Sequence, residues 1–278
     1  MINIYLFYCI QNAEVFSLLI KIIFVFCFIL FALIIIMLFK AKENRLTKHT
    51  LLFDEFPKSF DTFRIFFISD IHRRTISKKM LEMVPDSINL VVIGGDLTEA
   101  GVPFQKVEKN LNVLKKIAPI YFVLGNNDYE VGKDKLEYLL TKHGVTILNN
   151  SSATITSNTG EKLILLGVED MSEDRDRLDI TLDHLPEGDF RLLISHNPDI
   201  YHKLKKADNI SLILSGHTHG GQIRIFGLGL YEKGKLHNLK KASLLISNGY
   251  GTSGIPLRLG APAEAHFIQL KHTSLHNE

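Results

Sequence analysis

Residues 90–99 read LVVIGGDLTE, an unbroken apolar run that stops at two glycines and an aspartate. Such a run, closed by turn residues, describes a strand buried on both faces. The same grammar recurs on either side of it, in RIFFISDIH at 64–72, IYFVLGNND at 120–128, RLLISHNPD at 191–199 and LILSGHTHGGQ at 212–222. Each run ends in side chains able to ligate a cation: Asp70 and His72, Asp96, Asn126, His196, and His217 with His219. In an open α/β sheet, ligands bind in the crevice beyond the carboxyl ends of the strands. Five strand ends are therefore expected to aim their polar residues at one place, as a two-metal centre.

The pattern between these runs predicts helices near Lys78–Val84, Phe104–Ile117 and Lys133–Lys142, so the first half alternates strand and helix around a parallel sheet. The second half is richer in strands, expected at 162–167, 191–195, 210–215, 222–226, 243–247 and 265–270. The segment SEDRDRLDITLDHLPEGD opens on Ser172 and carboxylates, a helix-start pattern. Two packed sheets with helices outside accommodate both halves.

The amino terminus is of another kind. Ile22 to Phe39 carries no charge over about 18 residues, roughly 27 Å of helix, close to a bilayer's thickness. Counting back through Lys21 to Val15 lengthens it, because a lysine near a helix end snorkels to the interface. The flank FKAKENR lacks the small-residue site of a cleaved signal peptide, so an uncleaved anchor is expected. Lys40, Lys42, Arg45 and Lys48 crowd its carboxyl-terminal side, which predicts a single-pass cell-membrane protein with a cytoplasmic domain. The expected organisation is an anchor at 1–40 (spanning about 18–39), a polar connector at 41–60, one domain at 61–272 and a tail at 273–278.

Net charge is +2 with two cysteines, Cys9 and Cys27, both in or before the anchor. The domain can therefore hold no disulfide framework and no thiolate nucleophile or ligand. Lys115–Lys116, Lys205–Lys206 and Lys240–Lys241 are not interleaved with aromatics, and no strong nucleic-acid signal emerges. His143, His184, His202, His237, His266, His272 and His276 match no motif and are read as structural or solvent-exposed.

Carboxylate, amide and imidazole donors without sulfur suit Mn, Fe or Zn and argue against a purely structural zinc site. Gly94 and Gly95 let the backbone approach Asp96 closely, and its two oxygens make it the natural shared ligand. His217 and His219, set among glycines, can send one ring to each ion.

On these motifs the chain resembles the calcineurin-like metallophosphoesterases, whose order is DxH, GD, GNH followed by an acid, a later histidine, and GHxH. The resemblance runs from about Phe63 to Leu270. SHNPD, GHTHGGQ and NGYGTSGIPLRLGAPAE look like the bacterial membrane-associated branch that includes diacylglucosamine-diphosphate hydrolases and related phosphodiesterases. It implies a four-layer α/β/β/α sandwich preceded by one transmembrane helix, and two divalent ions. Asp70, His72, Asp96 and His219 would hold one ion; Asp96, Asn126, His196 and His217 would hold the other. The implied reaction is hydrolysis of a phosphodiester or pyrophosphate by hydroxide generated at the cations; the anchor, which holds the site near lipid, favours a lipid-linked or nucleotide-linked substrate.

One departure stands out: GNND places Asn127 where the family has histidine. An amide donates a hydrogen bond but delivers no proton at neutral pH, so alkoxide leaving groups are expected to depart slowly. A catalytically weakened binding or scaffold protein is the alternative that this departure leaves open. Asp128 is expected to cap or orient its loop. Arg73 and Arg74 are candidates for phosphate contact, Glu99 for support of the site, and Gly249 to Leu259 for an apolar lip.

Overall fold

Phe63, Ile65 and Phe67 face one apolar cluster while Phe66 and Ile68 face another. A strand buried on both sides in this way needs a layer against each face. The structure is a computed structural model and describes residues 2–276 apart from 184 and 186–189; His184 lies outside the described residues. It supplies both layers.

The first sheet comprises β1 (Leu46–Phe53), β2 (Thr62–Ile68), β3 (Leu90–Gly94), β4 (Ile120–Val123), β5 (Thr146–Ile147) and β12 (Ala265–His272), in the order β1-β12-β2-β3-β4-β5. All neighbours are parallel except β12 with β2. The second comprises β6 (Ser151–Thr156), β7 (Lys162–Gly167), β8 (Phe190–Ile194), β9 (Leu212–Ser215), β10 (Leu236–Asn238) and β11 (Ser243–Ile246), in the order β10-β11-β9-β8-β7-β6. Its two edges pair antiparallel and its centre is parallel.

The sheets pack face to face through Phe67, Val92, Leu165, Leu192, Leu214 and Ile268. On the outer face of the first lie α2 (Lys78–Met83), α3 (Phe104–Leu114) and α4 (Lys133–Lys142), which bury Met80, Leu111 and Leu140 against Phe66, Ile93 and Phe122. On the outer face of the second, the described residues form the single turns α5 (Leu178–Thr181) and α6 (Ile200–Lys203), over Ile164, Leu193 and Ile213. The four-layer α/β/β/α arrangement is present, with a thin fourth layer.

Several expectations need correction. Residues 41–60, read as a connector, contain β1, an edge strand parallel to β12. Its one buried residue, Leu51, gives it little apolar signal. Ser172 does not start a long helix: Asp170 Oδ1 accepts from its amide at 2.7 Å, and a single 3-10 turn follows. No strand forms at 222–226, where isolated bridges join Ile223 to Leu259 and Ile225 to Leu228. Residues 273–276 form a 3-10 turn against the end of β12.

The helix α1 (Ile2–Ala41) contains one stretch, Glu14–Ala41, long and apolar enough to cross a membrane. Its last turn is not free. Met37 and Ala41 are buried, and Met37 O accepts from Arg258 N at 3.2 Å. Arg74 caps the exit: Nη2 donates to Lys42 O at 2.7 Å and Glu43 O at 2.9 Å, and its guanidinium lies 3.7 Å over the Tyr250 ring. Arg74 is thereby committed to holding helix to domain rather than to contacting phosphate.

His266, fully enclosed beside Phe67, has its pKa pushed down to about 3 by burial, with His49 and Arg45 adding to the effect. A folded pKa below the ordinary 6.5 means that the native state binds fewer protons than the unfolded chain. This stability is present above about pH 6.5 and is lost as pH falls, at up to ~1.4 kcal/mol per unit. His266→Gln is expected to flatten the fall of the melting temperature between about pH 6.5 and 4. An unchanged slope in thermal melts would exclude this residue as the source.

Candidate metal centre

β2, β3 and β4 lie side by side in one sheet, β8 and β9 side by side in the other. Their carboxyl ends meet. Asp70 and His72 follow β2, Asp96 follows β3, Asn126 follows β4, His196 follows β8, and His217 and His219 follow β9. The loops are knitted by backbone bonds from Asp70 N to Gly95 O at 3.0 Å and from Gly216 N to His196 O at 3.0 Å.

The chain must turn sharply to bring these side chains inward. Asp70, His72, Asp96, His217 and His219 all have φ between 49° and 69°, five of the twelve described non-glycine residues with positive φ. Left-handed backbone costs roughly 1–2 kcal/mol per such residue and concentrates where function demands it. Two glycines make the approach of the loops achievable. A Cβ at Gly95 (φ 84°) would strike the His196 ring, and one at Gly125 would strike the Asp96 carboxylate.

All seven candidate ligands converge. Asp70, His72 and His219 present ligand atoms within 4.8 Å of one another, as do Asp70, Asp96 and His196. Asp96 Oδ2 lies 3.2 Å from His196 Nε2 and 3.6 Å from His72 Nε2, so this carboxylate reaches both groups. Asp70 is common to both as well. His72 Nε2 and His219 Nε2 face each other at 3.1 Å. His217 Nδ1 lies 3.0 Å from Asn126 Oδ1, and the His217 and His196 ring centroids are 5.1 Å apart.

Neighbours aim the rings. His196 Nδ1 donates to Gly94 O at 2.8 Å, which turns its Nε2 inward. His72 Nδ1 lies 2.9 Å from Glu99 Oε2, and the other Glu99 oxygen takes Arg73 Nε. Glu99 thereby orients the His72 ring. Arg73, in contrast, is mostly exposed, bonds Ala100 O and does not line the cleft.

Burial alone would raise the Asp96 carboxyl, but the His196 and His72 imidazoles hold it well below the usual carboxylate range. Burial likewise opposes charge on His196, yet Asp96 and Asp70 keep its pKa well above the ordinary value. His219 goes the other way, to about 4, through burial and the nearby His72 and Arg258 charges. Asp70 Oδ2 is buried with no hydrogen-bond partner. An orphaned carboxylate oxygen at the centre of a buried cluster of carboxylates and imidazoles is costly, and a divalent cation would satisfy it. The donor set fits such an ion.

The cleft beside the cluster measures about 260 Å³ and is lined by Asp96, Asn126, Asn127, His217, Leu230 and Tyr231, among others. Asn127 donates twice to Asp96, from N to Oδ1 at 2.8 Å and from Nδ2 to Oδ2 at 2.7 Å. Asp128 is wholly buried and accepts from Thr98 N at 3.0 Å and Gly125 N at 2.9 Å. It holds its loop to the one after β3. Burial and the Asp96 charge push its pKa up to about 7.

Arg258 escaped the sequence reading. It is fully buried, with Nη2 donating to Asn248 O at 2.6 Å and Gly251 O at 2.7 Å, and Nη1 to Ala261 O at 3.0 Å and His219 O at 3.3 Å. Burial pulls its pKa down only to about 10, so it stays charged. Its sequence signal was a lone cation in the otherwise small and apolar GIPLRLGAPA.

Residues 63–221, more than half of the chain, match the family model described as calcineurin-like phosphoesterase. The chain belongs to this family. It is a phosphoester hydrolase, and the family works with divalent metal ions. Among its relatives is the uncharacterized protein YpbG of Bacillus subtilis, 44% identical over 83% of this chain and 89% of that protein. The phosphodiesterase YaeI of Escherichia coli is 29% identical over 65% of this chain and 68% of that protein. A Danio rerio transmembrane protein with a metallophosphoesterase domain is 28% identical over 78% of this chain and 55% of that protein.

Proposed function

We propose that this phosphoesterase hydrolyses a phosphodiester or pyrophosphate at a membrane, using two divalent ions, Mn, Fe or Zn, that share Asp96. The observation that carries this reading is the convergence of seven groups with metal-ligand chemistry at the ends of five strands. Asp70, His72, Asp96 and His219 would hold one ion, and Asp96, Asn126, His196 and His217 the other. Such ions supply a lowered water pKa and charge stabilisation on the entering and leaving oxygens of an in-line displacement.

The chain's own residues prepare that site. Gly94 O and Glu99 fix the His196 and His72 rings, and Asp128 fixes the loop that carries Asn126 and Asn127. Asn127 lines the cleft and can donate to a substrate oxygen, but it has no proton to give. A diester reading accords with the name of the YaeI relative. The excess of positive charge that follows the apolar helix supports a domain on the cytoplasmic side of the cell membrane.

The test is a single turnover in ¹⁸O-water with Mn²⁺ and bis(nitrophenyl) phosphate. Label is expected in the phosphoryl product; label in the phenol, or no dependence on metal, overturns the reading. Asn127→His is expected to speed hydrolysis of alkyl diesters by ~10-fold or more while changing nitrophenyl esters little, because only the former need a proton on departure. Equal effects on both substrates would remove position 127 from leaving-group chemistry.

A further inference from the structure

Phe226 is fully exposed on a backbone that disfavours it. Ile225 and Leu228 bond each other reciprocally, N to O at 2.9 Å in both directions, which closes a two-residue hairpin on Phe226 (φ 52°) and Gly227 (φ 82°). Turns with two positive φ values favour asparagine, aspartate and glycine. A phenylalanine there loses on backbone strain and, in water, on exposure as well. Its neighbours repeat the pattern: Ile225 is 60% exposed, Leu228 79% and Leu230 90%. Side chains of this size gain most from leaving water. The hairpin is also held firmly, since Arg224 donates to Gly227 O at 2.6 Å and to Gly220 O at 3.0 Å.

The surroundings set the hairpin near the end of the apolar helix. Arg224 N donates to Leu259 O at 2.7 Å, and the adjacent Arg258 N donates to Met37 O in the last turn of α1 at 3.2 Å. The base of the hairpin therefore sits one chain segment away from the carboxyl end of the apolar helix. The apolar stretch of that helix runs 28 residues from Glu14 to Ala41, about 42 Å, against a hydrocarbon thickness near 30 Å. Ile255, 52% exposed, lies on the same segment, and its carbonyl takes Gln222 Nε2 at 3.0 Å.

We infer that the Ile225–Leu230 hairpin and Ile255 enter the surface of the bilayer that holds α1, as a second membrane contact. This rests on the proposed function and deepens it. Leu230 and Tyr231, on the return side of the hairpin, line the cleft beside the seven ligands. The cleft mouth then opens at the headgroup level, and the substrate is a phosphoester whose other end is lipid.

The chain contains no tryptophan, so one introduced indole reports alone. The full chain carrying Phe226→Trp, and separately Leu228→Trp, is reconstituted in phosphatidylcholine and phosphatidylglycerol vesicles with and without acyl-chain bromine. Tyr138→Trp, 73% exposed on α4, serves as the control. The two hairpin reporters are expected to shift to the blue and lose most of their emission to brominated lipid, while the control does neither. Emission like that of the control overturns the inference. So does a blue shift without bromine quenching, which would mean a protein partner, a second copy or closure over the cleft. Hydrolysis of bis(nitrophenyl) phosphate by the same chains separates the two readings: a dead enzyme that is quenched ends the catalytic proposal alone, and an active enzyme that is not quenched ends the membrane contact alone.

Discussion

Asp96→Asn is expected to lower Mn²⁺-dependent hydrolysis of bis(nitrophenyl) phosphate by about 10³-fold or more, because loss of one shared anionic oxygen removes several kcal/mol of charge stabilisation. The structure makes this residue the meeting point of the site. Its Oδ2 lies within 3.6 Å of imidazole nitrogens from both sheets, and both of its oxygens accept bonds from Asn127. An amide at this position keeps the shape and one acceptor but neither the charge nor the second acceptor. Metal content per chain, measured on the purified protein, is expected to fall with activity while the melting temperature moves little. Activity within tenfold of the parent would end the reading of Asp96 as a shared ligand.

Arg258→Met is expected to act on stability before anything else. The guanidinium satisfies the carbonyls of His219, Asn248, Gly249, Gly251 and Ala261 inside the protein. Removing it leaves them without donors in a dry environment, where each orphan costs about 1–3 kcal/mol and relaxation recovers part of the sum. A net loss near 4 kcal/mol lowers the melting temperature by roughly 10 °C for a domain of this size. Arg258→Lys is expected to recover only a fraction, because an ammonium cannot reach five acceptors from a planar fork. Thermal melts of the full chain in detergent measure both variants. A shift under about 2 °C would show that these carbonyls find other partners.

All eight internal strands of the two sheets were legible in the amino-acid order, and none of the four edge strands β1, β5, β6 and β10 was. Internal parallel strands are covered on both faces and read as continuous apolar runs, as LVVIG and RLLI do. Edge strands such as β6, SSATIT, are half-solvated and carry no such run. The segment 222–226 misled for a related reason: its isoleucines and Phe226 resemble a strand, but Ile223 only bridges to Leu259 while Ile225 and Phe226 enter a hairpin and face outward.

The seven donors were visible because each stands directly after a buried run, where sheet geometry alone sends it toward a common crevice. Local order thus decided the central strands, the apolar helix and the chemistry offered at each strand end, since all three depend on neighbours within a few residues. Tertiary structure decided which groups are free to act. Arg74 and Arg258 are adjacent to motif residues or embedded in a small-residue segment, yet both are consumed by carbonyls contributed from distant segments. Arg73 is drawn away by Glu99, and Asn127 is turned onto Asp96. A side chain's charge is written in its identity, but its availability depends on which acceptors the folded chain brings within about 3 Å, and no spacing along the chain encodes that.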